Sequence, residues 1–461
     1  MKKKYRSLIK NVGLFAIGSF GSKLVSFLML PLYTAILSTS DYGTVDLVQS
    51  TAQLLIPILL LSIHDATLRF GMDPEYNKED VLSTSINVII KGTFVFILGI
   101  LIVSMTNIIN ISFEYWLFLF FTFILGALNN CFNLYLKAKD KASIIAISGI
   151  IGTFVTCFSN ILCLVVLKLG INGYMISNVI GILIQLIIQF FFGKIYKDLH
   201  IRKYNNISKP MIKYSIPLMA NSIAWWVNNA IDRYILTWIS GVAINGIYAV
   251  AYKIPTILTT FQRIFYNAWS MSAIAEFDKD DKDGFIGNNY MLYSFVSIVV
   301  CSLIILLNIP ITKVLYSKDF YAAWQCVPML LVGTVFNGIS QVEGSLYAAT
   351  KKTKAVSFTT FIGALVNTIC NFVFIYLIGA PGAALSTMLG YGITWILRTR
   401  GLRKFITMKV NWKIHITSII ILVCQTILAT FNILIIVQIL LFMIILVLYK
   451  DYYKKVLKIR K

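Results

Sequence analysis

Long apolar runs separated by short polar ones fill this chain, and that pattern limits its fold more than any motif does. The runs lie near residues 8–37, 44–70, 81–109, 112–136, 142–168, 171–195, 211–239, 245–275, 285–309, 324–349, 355–379, 381–399, 413–430 and 432–449. Most approach or exceed the ~20 residues that a helix needs to cross about 30 Å of hydrocarbon. Hydrophobic residues make up 58% of the chain and charged residues only 13%, against roughly half and a quarter in a soluble domain. Such a chain needs lipid as its solvent, where only helices and closed barrels satisfy their own backbone polar groups. The runs do not alternate as barrel strands do. The expectation is an all-α polytopic membrane protein of about fourteen transmembrane helices, the last two divided only by a turn at Phe431 and Asn432.

Charge in alternate loops orients the spans, because basic residues concentrate on the cytoplasmic side. One set of loops comprises the amino terminus, 69–80, 137–141, 194–213, 279–282, 351–354, 398–413 and the carboxyl-terminal tail, and it holds 33 Lys and Arg. The other holds Lys168, Lys313 and Lys318. Both termini of this multi-pass protein are therefore expected to be cytoplasmic. The net charge of +22 follows from this bias; no basic stretch is long enough to build a folded nucleic-acid reader. MKKKYRS followed by an apolar run mimics a signal peptide, but the run is too long and lacks a small-residue cleavage site; it reads as the first span. The seven cysteines (131, 157, 163, 301, 326, 370 and 424) form no CxxC pair, so neither zinc nor a disulfide framework is expected. Only His64 among the three histidines reads as near a membrane segment. The acidic stretch Glu276–Asp283 reads as a solvated cytoplasmic hinge, since its spacing does not fit a calcium loop. No cofactor is implied.

Helices 1–6 and 7–12 carry matching features. Gly170-Ile-Asn-Gly173-Tyr-Met-Ile-Ser177 stands between helices 5 and 6, and Gly379-Ala-Pro-Gly382-Ala-Ala-Leu-Ser386 between helices 11 and 12. Turn glycines Gly43 and Gly246 follow helices 1 and 7, and the basic loops 137–141 and 351–354 correspond. Six is even, so the two units share one orientation and the repeat is parallel. The expected division is an N-lobe over 1–205, a C-lobe over 206–405, and two extra helices with a basic tail over 406–461. Pro31 and Pro217 in helices 1 and 7, and Pro57 and Pro255 in helices 2 and 8, suggest interruptions at matching places, which in transporters mark the pathway.

A charge at the bilayer centre costs roughly 2.5–3.5 kcal/mol on insertion scales and must face protein or water. The candidates are Lys23, Lys91, Asp232, Arg233, Lys253 and Arg263, with Asp65 and Arg69 at the cytoplasmic end of helix 2 and Glu343 near that end of helix 10. Counting helical rise puts Asp232, Arg233 and Lys253 in one layer, roughly 11–12 Å below the outer surface, and Lys23 and Lys91 near mid-membrane. Alternatives stay open for several. Asp65 and Arg69 are spaced to pair with each other, Asp232 could neutralise Lys253, and Arg263 could snorkel to the interface. The excess is positive, which suits an anion and phosphate above all.

With PLYTAILSTSDYG (31–43), RFG (69–71), AIDRYIL (230–236), IYAVAYKI (247–254) and both G-x-x-G turns, the chain resembles the polysaccharide flippases of the multidrug/oligosaccharidyl-lipid/polysaccharide exporter superfamily. The resemblance covers the whole chain in topology. It implies two six-helix lobes in a V, and alternating-access movement of undecaprenyl-diphosphate-linked oligosaccharide repeat units to the outer leaflet, driven by an ion gradient or the membrane potential. It also implies diphosphate contacts from Lys23, Arg233 and Lys253, a lipid tail between the lobes or along helices 13–14, and a glycan polymerase and glycosyltransferases as partners. Lys91, Arg263 and Arg69 complete the candidate substrate-binding set; Asp232, Asp65 and Glu343 are candidates for charge pairing or coupling. A related lipid II flippase is the alternative, although that branch has a more arginine-rich cavity. Drug exporters typically carry an acid in helix 1, where this chain has Lys23. No Walker A loop is present, and an integral-membrane polymerase or acyltransferase would need a large outer loop or a His/Asp/Arg cluster that the sequence lacks.

Overall fold

The computed structural model describes residues 25, 27–106, 111–200, 205–275, 277–350 and 352–450. All regular structure among them is helical. The elements are α1 (Leu30–Ile36), α2 (Thr39–Leu59), α3 (Ile63–Gly71), α4 (Lys78–Met105), α5 (Phe113–Ala138), α6 (Ala142–Asn160, continued as a π-helix over Ile161–Val166), α7 (Gly170–Phe192), α8 (Ile195–Asp198) and α9 (Asn205–Ser240). They continue as α10 (Val242–Ala251), α11 (Pro255–Ala275), α12 (Phe285–Leu306), α13 (Asn308–Leu315), a 3-10 segment (Lys318–Gln325), α14 (Val327–Ala349), α15 (Thr353–Ile378), α16 (Ala380–Leu402), α17 (Trp412–Thr430) and α18 (Ile435–Leu448). Helices thus occupy every expected position from the second span to the fourteenth. Among the described residues seven are long and apolar enough to cross a membrane, and ten crossings result if each of three bent pairs counts as one.

The described chain divides into two compact units, one built on Ile36–Ala230 and the other on Leu30–Ala35 with Ile231 onward. The division falls inside α9, not in the loop before it.

Within the first unit α2 starts on Ser38, whose hydroxyl accepts the Asp41 N–H at 3.1 Å and donates to the Asp41 carboxylate at 2.7 Å. This satisfies one of the orphan donors of the first turn. The helix carries Pro57 and ends at a break where Leu61 and Ser62 take positive φ of 52° and 50°. α3 then leaves at 59°. The second unit repeats the device: α11 opens on Pro255, where a missing N–H is harmless, and turns 47° from α10. The expectation of interrupted helices at Pro57 and Pro255 holds. At Pro217 it does not, because α9 runs unbroken through it.

The G-x-x-G turns also have matching structures. Gly170 and Gly379 take φ of +55° and +65°, which an L-residue adopts only at a cost. One turn later Ser177 donates to the Gly173 carbonyl at 2.7 Å and Ser386 to the Gly382 carbonyl at 2.8 Å. In the first unit α6 and α7 approach at Gly152 and Gly181, where a Cβ on Gly181 would strike the Thr156 hydroxyl. In the second, α15 and α16 approach at Gly363 and Gly390, where a Cβ on Gly363 would strike the Thr394 hydroxyl. Small residues allow such backbone contact where lipid gives helices no hydrophobic reason to associate.

The acidic stretch before α12 is not the solvated hinge expected from sequence. Asp281 is fully buried and accepts the backbone N–H groups of Ile286, Gly287 and Lys409 at 2.9, 2.8 and 3.0 Å. The Thr407 N–H donates to the Lys279 carbonyl at 2.9 Å. The loop therefore ties the start of α12 to the segment that leads into α17. Asp278, half-buried, accepts the Lys282 and Asp280 N–H groups, which hold its carboxyl below the usual range.

Candidate functional site

α9 passes into the second unit at Ile231 and immediately presents Asp232. A carboxylate there, 2% exposed, has no water to hydrate it and needs donors from protein. It receives them from neighbouring helices. Its Oδ2 accepts the Tyr248 hydroxyl at 2.6 Å, the Thr387 hydroxyl at 3.3 Å and the Tyr252 hydroxyl at 3.4 Å, while Oδ1 accepts the Arg233 N–H at 2.9 Å. Tyr248 and Tyr252 come from the end of α10, and Thr387 from α16. The Arg233 guanidinium stands 5.4 Å from the centre of the Tyr252 ring, a cation–π distance. One ring, Tyr252, touches both Asp232 and Arg233, and Lys253 follows it in sequence.

Lys253 occupies the break between α10 and α11. Its carbonyl accepts the Thr256 hydroxyl at 2.6 Å, and its side chain is half-buried. Among the described residues no carboxylate lies within ion-pair distance of it, so Asp232 does not neutralise Lys253.

Deeper in the same unit lies a second polar cluster that sequence reasoning largely missed. Glu343 on α14 is fully buried, not at the edge of a cavity. Its Oε1 accepts the Thr399 hydroxyl at 2.6 Å and the Tyr290 hydroxyl at 3.2 Å. His415 on α17 sets Nε2 3.4 Å from that Tyr290 hydroxyl and stacks edge-on against Trp395 and Trp412. Arg398, expected in a cytoplasmic loop, is buried. It donates to the Ser340 carbonyl at 2.7 Å and to the hydroxyls of Thr359 and Thr360 at 3.1 and 2.6 Å. His415 likewise corrects the expectation that only His64 lies near a membrane segment.

In the first unit Asp65 and Arg69 do not pair with each other. Arg69 reaches Asp73 at 3.0 Å, one turn further on, and Asp65 lies 3.7 Å from His64. Both instead line one open cavity of about 500 Å³ with Leu68, Met72, Tyr214, Leu218 and Asn221. Lys91 is exposed on α4, opposite the buried stripe of Leu82, Ser85, Ile89, Gly92 and Phe96. Its neighbours on that face are exposed Phe94, Val95 and Leu98. Arg263 is exposed on α11. Lys23 lies outside the described residues.

Three comparisons bear on this arrangement. Residues 8–269 match the family model described as polysaccharide biosynthesis protein. No curated protein matches the chain in sequence. Among solved structures, the lipid II flippase MurJ in an inward closed conformation superposes with a TM-score of 0.72, covering 96% of this chain and 99% of its own, at 17% identity. A multidrug resistance MATE family transporter of the MOP superfamily, inward-facing, gives a TM-score of 0.70 over 86% of this chain and 97% of its own, at 11% identity. An outward-facing structure of the same description gives 0.62 over 87% and 95%, at 12% identity. At these identities the likeness is one of fold, that of a polytopic membrane protein.

Proposed function

Because the chain belongs to the polysaccharide biosynthesis protein family, we propose that it is a flippase for undecaprenyl-diphosphate-linked oligosaccharide repeat units. It carries them from the cytoplasmic to the outer leaflet of a bacterial inner membrane by alternating access between its two lobes. It makes and breaks no covalent bond. Its termini are cytoplasmic, and an ion gradient or the membrane potential drives it. The glycosyltransferases that build the repeat unit and the polymerase that consumes it are its functional partners.

One observation carries the choice of an anionic cargo. The second unit withdraws Asp232 and Glu343 behind hydroxyl donors, and among the described residues leaves Lys253 at a helix break with no acid within ion-pair distance. Shielded acids and an unneutralised ammonium give a positive local field, which attracts a diphosphate and disfavours a cationic drug. Arg233, held over Tyr252, supplies a planar donor fork suited to phosphate oxygens. Lys23, Lys91, Arg263 and Arg69 are the further cationic candidates for contact with the cargo, the charge of Arg69 being offset by Asp73 at 3.0 Å. Asp232 and Glu343 serve as charge-pairing or coupling groups, as does Asp65.

The test is glycan export in a host whose own flippase has been deleted. Lys253→Ala is expected to lower export about tenfold, the worth of one charge-assisted hydrogen bond, at unchanged protein abundance, and Lys253→Arg to restore most of it. Export by Lys253→Ala at the wild-type level would overturn the diphosphate reading. A second reading, movement of lipid II, draws on the superposition with MurJ over 99% of that chain. It predicts rescue of cell-wall synthesis, which the first reading does not.

A further inference from the structure

Inside the first unit, α2, α5 and α7 line a cavity of about 240 Å³ whose polar lining, among the described residues, is uncharged. Gln49 and Gln53 come from α2, Thr122 and Asn130 from α5, and Asn178 from α7. From the outer end of each helix, a rise of 1.5 Å per residue puts Asn178 about 12 Å and Asn130 about 25 Å into the membrane. An amide at that depth must find hydrogen-bond partners, since lipid offers none. Asn178 finds one, donating to the Tyr174 carbonyl at 2.8 Å. The side chains of Gln49, Gln53 and Asn130 have no hydrogen-bond partner among the described residues, and all three open into the same space.

We infer that this cavity binds a single uncharged sugar ring of the glycan, a neutral polyhydroxyl ligand. Each amide offers both donors and an acceptor, which matches hydroxyl groups that do both as well. Phe118 and Phe121 form part of the wall, and aromatic faces pack against the C–H faces of a sugar ring. Size points the same way, because the space is smaller than the roughly 300–1,000 Å³ of drug-sized sites. Charge excludes the competitors. Among the described residues no Lys or Arg lines the cavity to hold a phosphate, no carboxylate to hold a cation, and no titratable group to hold a proton. This inference rests on the flippase reading and adds to it. The diphosphate is held by cations, whereas the sugar is read by amides on the other unit.

The two parts can be separated with full-length protein in lipid nanodiscs and two probes, undecaprenyl diphosphate without a sugar and the same lipid bearing one N-acetylhexosamine. Wild-type protein is expected to bind the sugar-bearing lipid about tenfold more tightly, the worth of two neutral hydrogen bonds. Gln53→Leu and Asn130→Leu are expected to erase that difference while binding the sugar-free lipid as the wild type does, which also shows that they are folded. If wild-type protein binds both lipids alike, or if the leucine variants keep the preference, the cavity holds water only and the inference is overturned. The diphosphate reading fails by a different result, absence of binding of the sugar-free lipid to wild-type protein.

Discussion

The two units share a helical plan and each buries a polar network, Gln189 with Asn133 and Ser148 in the first and Asp232 with Tyr248 and Thr387 in the second, but the first also keeps amides on the wall of a cavity. The second unit encloses its polar side chains: Asp232, Glu343, Arg398, His415 and Gln425 are all buried, each with partners on other helices. The first unit leaves amides open to a cavity and keeps Asp65 and Arg69 on the wall of another. The contrast separates two ways of keeping polarity in a membrane. A buried network must be complete, because an unpaired group in a low-dielectric core is expensive. A cavity can leave groups unpaired, because water or a ligand completes them. Polar groups bonded across helices, such as Glu343 and Gln189, therefore hold structure, whereas those on a cavity wall or at a helix break, such as Gln53 and Lys253, remain available for binding.

That contrast breaks most visibly at Arg398. Arg398→Ala removes the guanidinium that serves Ser340, Thr359 and Thr360 and stands near buried Glu343. It should cost about 3–5 kcal/mol, measured as a lower midpoint of thermal unfolding of the detergent-purified protein. A smaller loss is expected at Asp232. Asp232→Ala deprives three hydroxyls of their acceptor and should cost about 2 kcal/mol, whereas Asp232→Asn should keep the fold. If Asp232 also serves coupling, the Asn variant will be stable yet lose its response to the driving ion gradient.

The repeat predicts equality, not contrast, at the glycine contacts. Gly181→Ala and Gly363→Ala should each cost about 1–3 kcal/mol through overpacking, and a large difference between them would show that the two helix pairs are not equivalent. The smallest effect belongs to the first unit: Gln49→Leu should leave thermal stability within about 0.5 kcal/mol, because no protein partner is lost. A drop comparable to that of Asp232→Ala would mean that the cavity amides are structural after all.

Much of this fold is legible in the sequence because span length and loop charge are set by the bilayer itself. The proline and glycine devices could also be read, since Pro57, Pro255, Gly170 and Gly379 act locally. Arg398 was hidden by its company. It sits among Arg400, Arg403 and Lys404, and counting charges by loop cannot separate an inward arginine from outward ones. A helical signal was present, however. Gly390, Thr394, Trp395, Arg398, Thr399 and Leu402 fall three or four residues apart on the buried face of α16. α17 held the same clue, since His415, Ser418, Gln425 and Thr426 share its buried face; a polar stripe on an apolar helix marks the side turned to protein. The partners of Arg69 and Asp65 could not be read, because i,i+4 spacing allows Arg69 to meet either Asp65 or Asp73. The cavity amides gave no signal at all, being scattered over three helices that only the fold brings together.

Transport in proteoliposomes tests the central claim most directly. Lipid-linked glycan loaded in the inner leaflet is followed by its accessibility to an external glycosidase. Wild-type protein should expose the undecaprenyl-diphosphate-linked glycan and leave a neutral glycolipid of equal glycan size behind, and Lys253→Ala should slow the first about tenfold. Equal transport of the neutral lipid, or undiminished transport by Lys253→Ala, would contradict a carrier built around a phosphorylated headgroup.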